Sequence, residues 1–88
     1  MLGKLELYRI FCQVAKDSSF SQAAKNLYLS QPAVSQSVKQ LEEQLGVQLF
    51  TRGAKGVSLT QQGKLLYEYA DSAMGLLSSA EQKLVSMK

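Results

Sequence analysis

Apolar positions recur with a helical period in four stretches of the chain and alternate in a strand-like way in one. In residues 4–17, Leu5, Tyr8, Phe11, Cys12 and Ala15 form one stripe, and Leu7, Ile10 and Val14 form a second, offset one. One stripe is enough for a helix to cover a core. The second therefore means either contact with a further element or subunit, or a deeply buried helix. Cys12 lies on the first stripe and reads as a core residue, since buried thiols behave as small hydrophobes. Asp17-Ser18-Ser19 breaks the pattern. Ser21 is then the N-cap candidate for a short helix over about residues 22–28, with Phe20 before it as a hydrophobic staple. Ala23 and Ala24 are small enough to let a neighbouring helix come close.

A third helix is marked at both ends. The Ser30 hydroxyl can accept a hydrogen bond from a free N–H of the first turn. Pro32 falls in that turn, where a missing N–H costs little. Gly46 can end the helix by adopting φ > 0. Val34, Val38, Leu41 and Leu45 step by four, three and four onto one face. Gln31, Ser35, Gln36 and Lys39 lie largely on the other, which holds no acid before Glu42. Glu42-Glu43 reads as solvated surface, with Glu42 in reach of a hydrogen bond inside the domain.

Beyond Gly46, Val47, Leu49 and Phe50 predict a short strand across residues 47–52, and Val57-Ser58-Leu59 predicts a second. Gly53-Ala54-Lys55-Gly56 is a turn with a cation at its tip. Alone, this stretch would read as a solvated loop carrying two cations. Directly after a pair of closely linked helices it reads as a β-hairpin wing. Thr60 is the next N-cap candidate, and a helical pattern follows to about Met87. Leu66, Ala70, Ala73, Leu77, Ala80, Leu84 and Met87 step by 4, 3, 4, 3, 4 and 3, the seven-residue repeat of a coiled-coil seam. Gly75 costs this helix some stability. So long a helix either folds back onto the domain or pairs with a second copy, and its length favours pairing. The expected fold is mostly α: a winged helix-turn-helix of three helices plus a two-stranded β-hairpin wing, followed by a long linker helix. Residues 1–59 form the winged unit and residues 60–88 the linker and dimerisation helix.

Composition narrows the chemistry. At 88 residues and 45% hydrophobic content, the chain suits one compact unit. A net charge of +3 permits a nucleic-acid partner without demanding one. One cysteine and no histidine exclude an intramolecular disulfide, a thiolate metal cluster, a zinc site and histidine-based catalysis. No cofactor is expected. No apolar run reaches the ~18–20 residues of a membrane span, and a signal-peptide pattern is lacking, so a cytoplasmic location is the default.

Two helices joined by the short Tyr28-Leu29 link must cross steeply, as in a helix-turn-helix. The second helix of such a pair enters the major groove with its N-terminal residues leading. Amides, hydroxyls and a cation are the groups that read base edges and hold phosphates. Arg52 and Lys55 would meet the backbone or a narrow minor groove from the wing.

These residues together resemble the N-terminal DNA-binding region of the LysR-type transcriptional regulators. The resemblance runs from about Leu5 to Tyr69. It rests on Phe11 with Val14-Ala15, on Ser19-Phe20-Ser21 with Ala23-Ala24 and Leu27, and on Leu29 through Ser35. It continues through Leu41-Glu42, Leu45-Gly46, Leu49-Phe50, Arg52, and Leu59-Thr60 with Gly63. It implies a homodimer paired through the linker helix, double-stranded DNA with an inverted-repeat operator as partner, and a bacterial cytoplasmic regulator. Carried onto this chain, Gln31, Pro32, Ser35, Gln36 and Lys39 are the expected base-reading positions. Ser21 and Ser30 would meet phosphates near helix N-termini, Arg52 and Lys55 would serve from the wing, and Thr60 from the start of the linker helix. Gln36 departs from the family, many of whose members carry arginine there. Glutamine favours adenine N6/N7 over guanine O6/N7, so a step less committed to guanine is expected. The family's larger C-terminal effector domain is the other departure. Without it the chain reads as an isolated domain or a short relative, with no co-inducer pocket. The alternative is a winged-helix protein-interaction module; enzyme activity is not expected.

Overall fold

The computed structural model describes residues 3–54 and 56–88. Its elements run α1 (Lys4–Asp17), α2 (Phe20–Leu27), α3 (Gln31–Leu45), β1 (Phe50–Gly53), β2 (Gly56–Leu59) and α4 (Gln61–Ser86). The strands pair antiparallel, Phe50 with Leu59 through Gly53 with Gly56. The architecture is the winged helix-turn-helix with a long following helix that the pattern predicts.

Helix α1 lies at the centre and packs against α2, α3 and α4. Its buried residues are Leu7, Ile10, Phe11 and Val14. The second stripe, joined by Phe11, is therefore the core face, and the reason is that three helices surround it. The first stripe is only partly covered: Leu5 is exposed, and Tyr8, Cys12 and Ala15 are half-buried against the core. Cys12 is thus not a full core residue. It sits in the cleft between α1 and α4 beside Tyr67 and Asp71, where burial, with the Asp71 charge adding to it, pushes its thiol up to about 11.

Helix α2 begins earlier than expected. Ser19, not Ser21, is the N-cap: it is extended (φ −161°, ψ 126°), and its Oγ accepts the Gln22 N–H at 3.0 Å. Phe20 is consequently the first helical residue rather than a staple before the cap, and it is buried. Both serines can cap; burying a phenylalanine decides between them, since full burial of such a side chain contributes about 1.5–3 kcal/mol. Its ring meets Phe50 edge-on at 5.7 Å, and Phe50 in turn lies 5.4 Å from Phe11. Phe11 also meets Tyr67 edge-on at 6.4 Å. This aromatic chain ties α2, β1, α1 and α4 together.

Helix α3 has the ends its sequence announces. Ser30 Oγ accepts the Ala33 N–H at 3.2 Å, Pro32 stands in the first turn, and Gly46 closes the helix at φ 72°. Val34, Val38 and Leu41 are buried, while Leu45 at the end of the same face is exposed. Strand β1 starts at Phe50, three residues later than expected. Residues 47–49 instead form the passage from α3 to the wing. The Leu49 carbonyl accepts the Thr60 N–H at 3.0 Å, and the Gln48 carbonyl accepts the Thr60 hydroxyl at 2.6 Å.

The N-terminal part of α4 is sealed to the domain at Gly63. A β-carbon there would stand 2.1 Å from the Leu49 carbonyl oxygen, so only glycine permits this approach. Leu66 and Tyr67 pack against the core and Ala70 is buried. Beyond Met74, which still lines the cleft against α1, the helix runs clear of the domain, giving the molecule extents of 49 × 27 × 26 Å.

Candidate nucleic-acid interface

The outward face of α3 and the hairpin enclose an open cleft of about 900 Å³. Pro32, Ser35, Gln36 and Lys39 line one side and Thr51 and Arg52 the other, with Phe20 and Phe50 at its base. This follows from helix spacing. Val34, Val38 and Leu41 turn inward, so positions 32, 35, 36 and 39 must turn outward. Pro32, Gln36 and Lys39 are exposed and Ser35 is half-buried. The fold thus brings four of the five expected reading positions into one cleft with the wing arginine. Gln31 lies outside it. Gln31 lines a smaller neighbouring depression of about 370 Å³ with Ser19, Ser21, Arg52 and Gly53.

Arg52 borders both spaces. Its guanidinium lies over the Phe20 ring, 4.3 Å from the centroid. A cation held against an aromatic face keeps its charge and is attracted to the ring's quadrupole. The one ion pair among the described residues joins Arg9 to Glu6 on α1, so neither Lys39 nor Arg52 is neutralised by a carboxylate. Glu42 borders the cleft, but its carboxylate is occupied: it accepts the Leu49 N–H at 2.7 Å and the Phe50 N–H at 3.4 Å. The reachable charge of the cleft is therefore positive.

The serines and Thr60 divide. The exposed Ser21 Oγ lies 3.2 Å from Ser19 Oγ at the head of α2, where helix N–H groups favour an anion. Ser30 Oγ is engaged as the α3 cap. The Thr60 hydroxyl is engaged twice, donating to Gln48 and accepting the Gly63 N–H at 3.0 Å. Its work is to hold the wing to α4. Lys55 lies outside the described residues.

The seam expected on α4 divides too. Leu66 and Ala70 face the domain, whereas Ala73, Leu77, Ala80, Leu84 and Met87 are exposed. The sequence pattern missed Leu65, Tyr69 and Leu76, which are 60%, 71% and 72% exposed. At about 100° per residue, these three share a side of the helix with Ala73, Ala80 and Met87, roughly a quarter-turn from Ala70. Their signal was present as a second apolar line one position out of phase with the first. Sequence reasoning also passed over the Arg52–Phe20 stack, which leaves no local trace.

Comparison with known proteins agrees with this arrangement. The family model described as bacterial regulatory helix-turn-helix protein, lysR family, matches residues 5–64. The RuBisCO operon transcriptional regulator of Allochromatium vinosum is 42% identical over 84 residues, covering 96% of this chain and 28% of that protein. The HTH-type transcriptional regulator BudR of Klebsiella aerogenes is 42% identical over 80 residues, covering 91% of this chain and 56% of that protein. The chain thus spans between about a quarter and a little over half of the length of these relatives. Among solved structures, the BenM DNA-binding domain in complex with catB site 1 DNA superposes with a TM-score of 0.79 at 40% identity, covering 97% of this chain and 90% of that one. A Corynebacterium glutamicum OxyR C206 mutant superposes with a TM-score of 0.86 at 32% identity, covering 98% of this chain and 28% of that one. With a match over most of its length and the same winged architecture, this chain belongs to the lysR family of bacterial regulatory helix-turn-helix proteins.

Proposed function

We propose that this chain is the sequence-specific, double-stranded-DNA-binding domain of a dimeric transcription regulator. The observation that carries the reading is the cleft in which the polar face of α3, without an acid before Glu42, stands opposite Arg52. Its size and sign suit a major-groove edge lying along α3 while a phosphate backbone passes under the wing. The structures similar to this chain include complexes with DNA, of the BenM domain and of full-length CbnR, which supports the reading. Gln31, Pro32, Ser35, Gln36 and Lys39 read or approach base edges. Ser21, Ser30 and Arg52 lie toward the backbone.

The exposed apolar side of α4 is the dimer surface in this reading. Two copies joined there present two copies of α3 to successive major grooves of an inverted repeat. Ala73, Leu77, Ala80, Leu84 and Met87 belong to it, together with Leu65, Tyr69 and Leu76. No helix among the described residues is long and apolar enough to cross a membrane, which fits a regulator acting in the cytoplasm.

Selection from a random duplex pool, followed by titration of the winner at two salt concentrations, tests this. A defined half-site in inverted repeat is expected, with affinity falling steeply as salt rises. The Gln36→Ala variant should lose discrimination at an adenine-containing step, by roughly 1–3 kcal/mol. Absence of any duplex binding at low salt would overturn the reading and favour a protein-interaction module.

A further inference from the structure

We propose that Glu42 is the positioning residue for the wing: it sets where Arg52 stands relative to α3 on DNA. The inference rests on the DNA-binding reading above and deepens it. Residues 46–50, which carry the chain from α3 into β1, fold around this one side chain and its carbonyl. The Glu42 carbonyl accepts the Gly46 N–H at 2.8 Å and the Val47 N–H at 3.3 Å. Its carboxylate accepts the Leu49 N–H at 2.7 Å and the Phe50 N–H at 3.4 Å. Four main-chain N–H groups of the passage are thus collected by a single residue on α3.

The other side of the passage is fixed differently. Thr60 holds the Gln48 and Leu49 carbonyls to the start of α4. Glu42 supplies the corresponding side-chain tie to the recognition helix. Hydrogen bonds from N–H to a carboxylate are roughly twice as strong as neutral ones. Arg52 lies two residues past Phe50, about 6.6 Å along the strand, so movement of the strand root is carried to the guanidinium. Lys39 stands one turn before Glu42 on the same cleft. The carboxylate therefore fixes the spacing between the two cations that flank the groove.

Charge alone predicts the opposite of this proposal. Removing an acid from a surface that meets phosphate should tighten DNA binding. Loss of a wing strut should weaken it. The experiment measures affinity for the selected operator across a salt series for Glu42→Ala, Glu42→Gln, Arg52→Ala and the Glu42→Ala/Arg52→Ala double variant, each first melted to establish that it is folded at the assay temperature. E42A is expected to bind about tenfold more weakly, with the salt slope reduced by about one, as for R52A. R52A should then cost less than about twofold in the E42A background, because the two changes remove the same contact. E42Q keeps an acceptor oxygen without the charge and should bind about threefold more weakly than the parent. Should E42A not fold, E42Q carries the same test at smaller amplitude. Tighter or unchanged binding by the Glu42 variants, or an R52A penalty equal in both backgrounds, overturns the proposal. If R52A alone changes nothing, the proposal falls while the DNA reading stands. If the parent chain binds no duplex, both fall.

Discussion

Helices α3 and α4 each press one side against the same core and expose the other, and the exposed sides are opposite in kind. On α3 the outward positions are Gln31, Pro32, Gln36 and Lys39; on α4 they include Leu65, Tyr69, Leu76 and Leu84. Water satisfies the first set at no cost. The second leaves large apolar surface in solvent, a condition that association removes. The comparison teaches that exposure alone is uninformative. On α3 it matters that the outward groups of the first turns are mostly polar or cationic, with no acid before Glu42. On α4 it matters that they are apolar and aligned.

The contrast can be broken from either helix. The largest effect is expected from the buried side of α3: Leu41→Ala empties a site with no exposure and should cost about 2–5 kcal/mol in urea unfolding. Gly63→Ala comes next. Its β-carbon meets the Leu49 carbonyl, so either the passage or the root of α4 must shift, at a cost of about 1–3 kcal/mol. Calorimetric melting would register it, and an unchanged melting temperature would mean that the seal between α4 and the wing is looser than described. Gly75→Ala works in the other direction. Nothing lies near an added β-carbon there, so the helix should gain about 0.5–1 kcal/mol. Leu76→Lys should disturb the intramolecular fold least, within about 0.5 kcal/mol. It separates the two helices most clearly: sedimentation should report monomers where the parent forms dimers, and a parent that is monomeric at every concentration would remove α4 from the comparison.

Much of α3 was legible because its signals are local. Ser30, Pro32 and Gly46 act within a turn of themselves, and the step of Val34, Val38 and Leu41 fixes the inward face. The start of α2 was not, because Ser19 and Ser21 are equally good caps and the choice belongs to Phe20 packing on Phe50, thirty residues away in sequence. The start of β1 was displaced for a similar reason. Val47 and Leu49 have strand-like spacing, but their N–H and carbonyl groups go to Glu42 and Thr60 rather than to a neighbouring strand. Periodicity revealed that α4 has an apolar stripe without revealing which part α1 covers. The heptad as read runs along the boundary between the covered and open sides, so its first two members turned inward. The outward positions on α3 were legible because they are what remains once the core positions are assigned. The stacking of Arg52 on Phe20 needed the folded chain.

The seal at Gly63 has a mechanical meaning. The whole of α4 is a single unbroken rod of 26 residues, about 39 Å long at 1.5 Å per residue, with the seal in its first turn. A lever of that length magnifies errors at its fulcrum: a tilt of about 5° at the root swings the far end by about 3.4 Å, the rise of one base pair. If two copies are joined along such rods, the tolerance for misplacing one half-site against the other is set at the other end of the helix. There, a glycine without a side chain lies flush against one carbonyl oxygen.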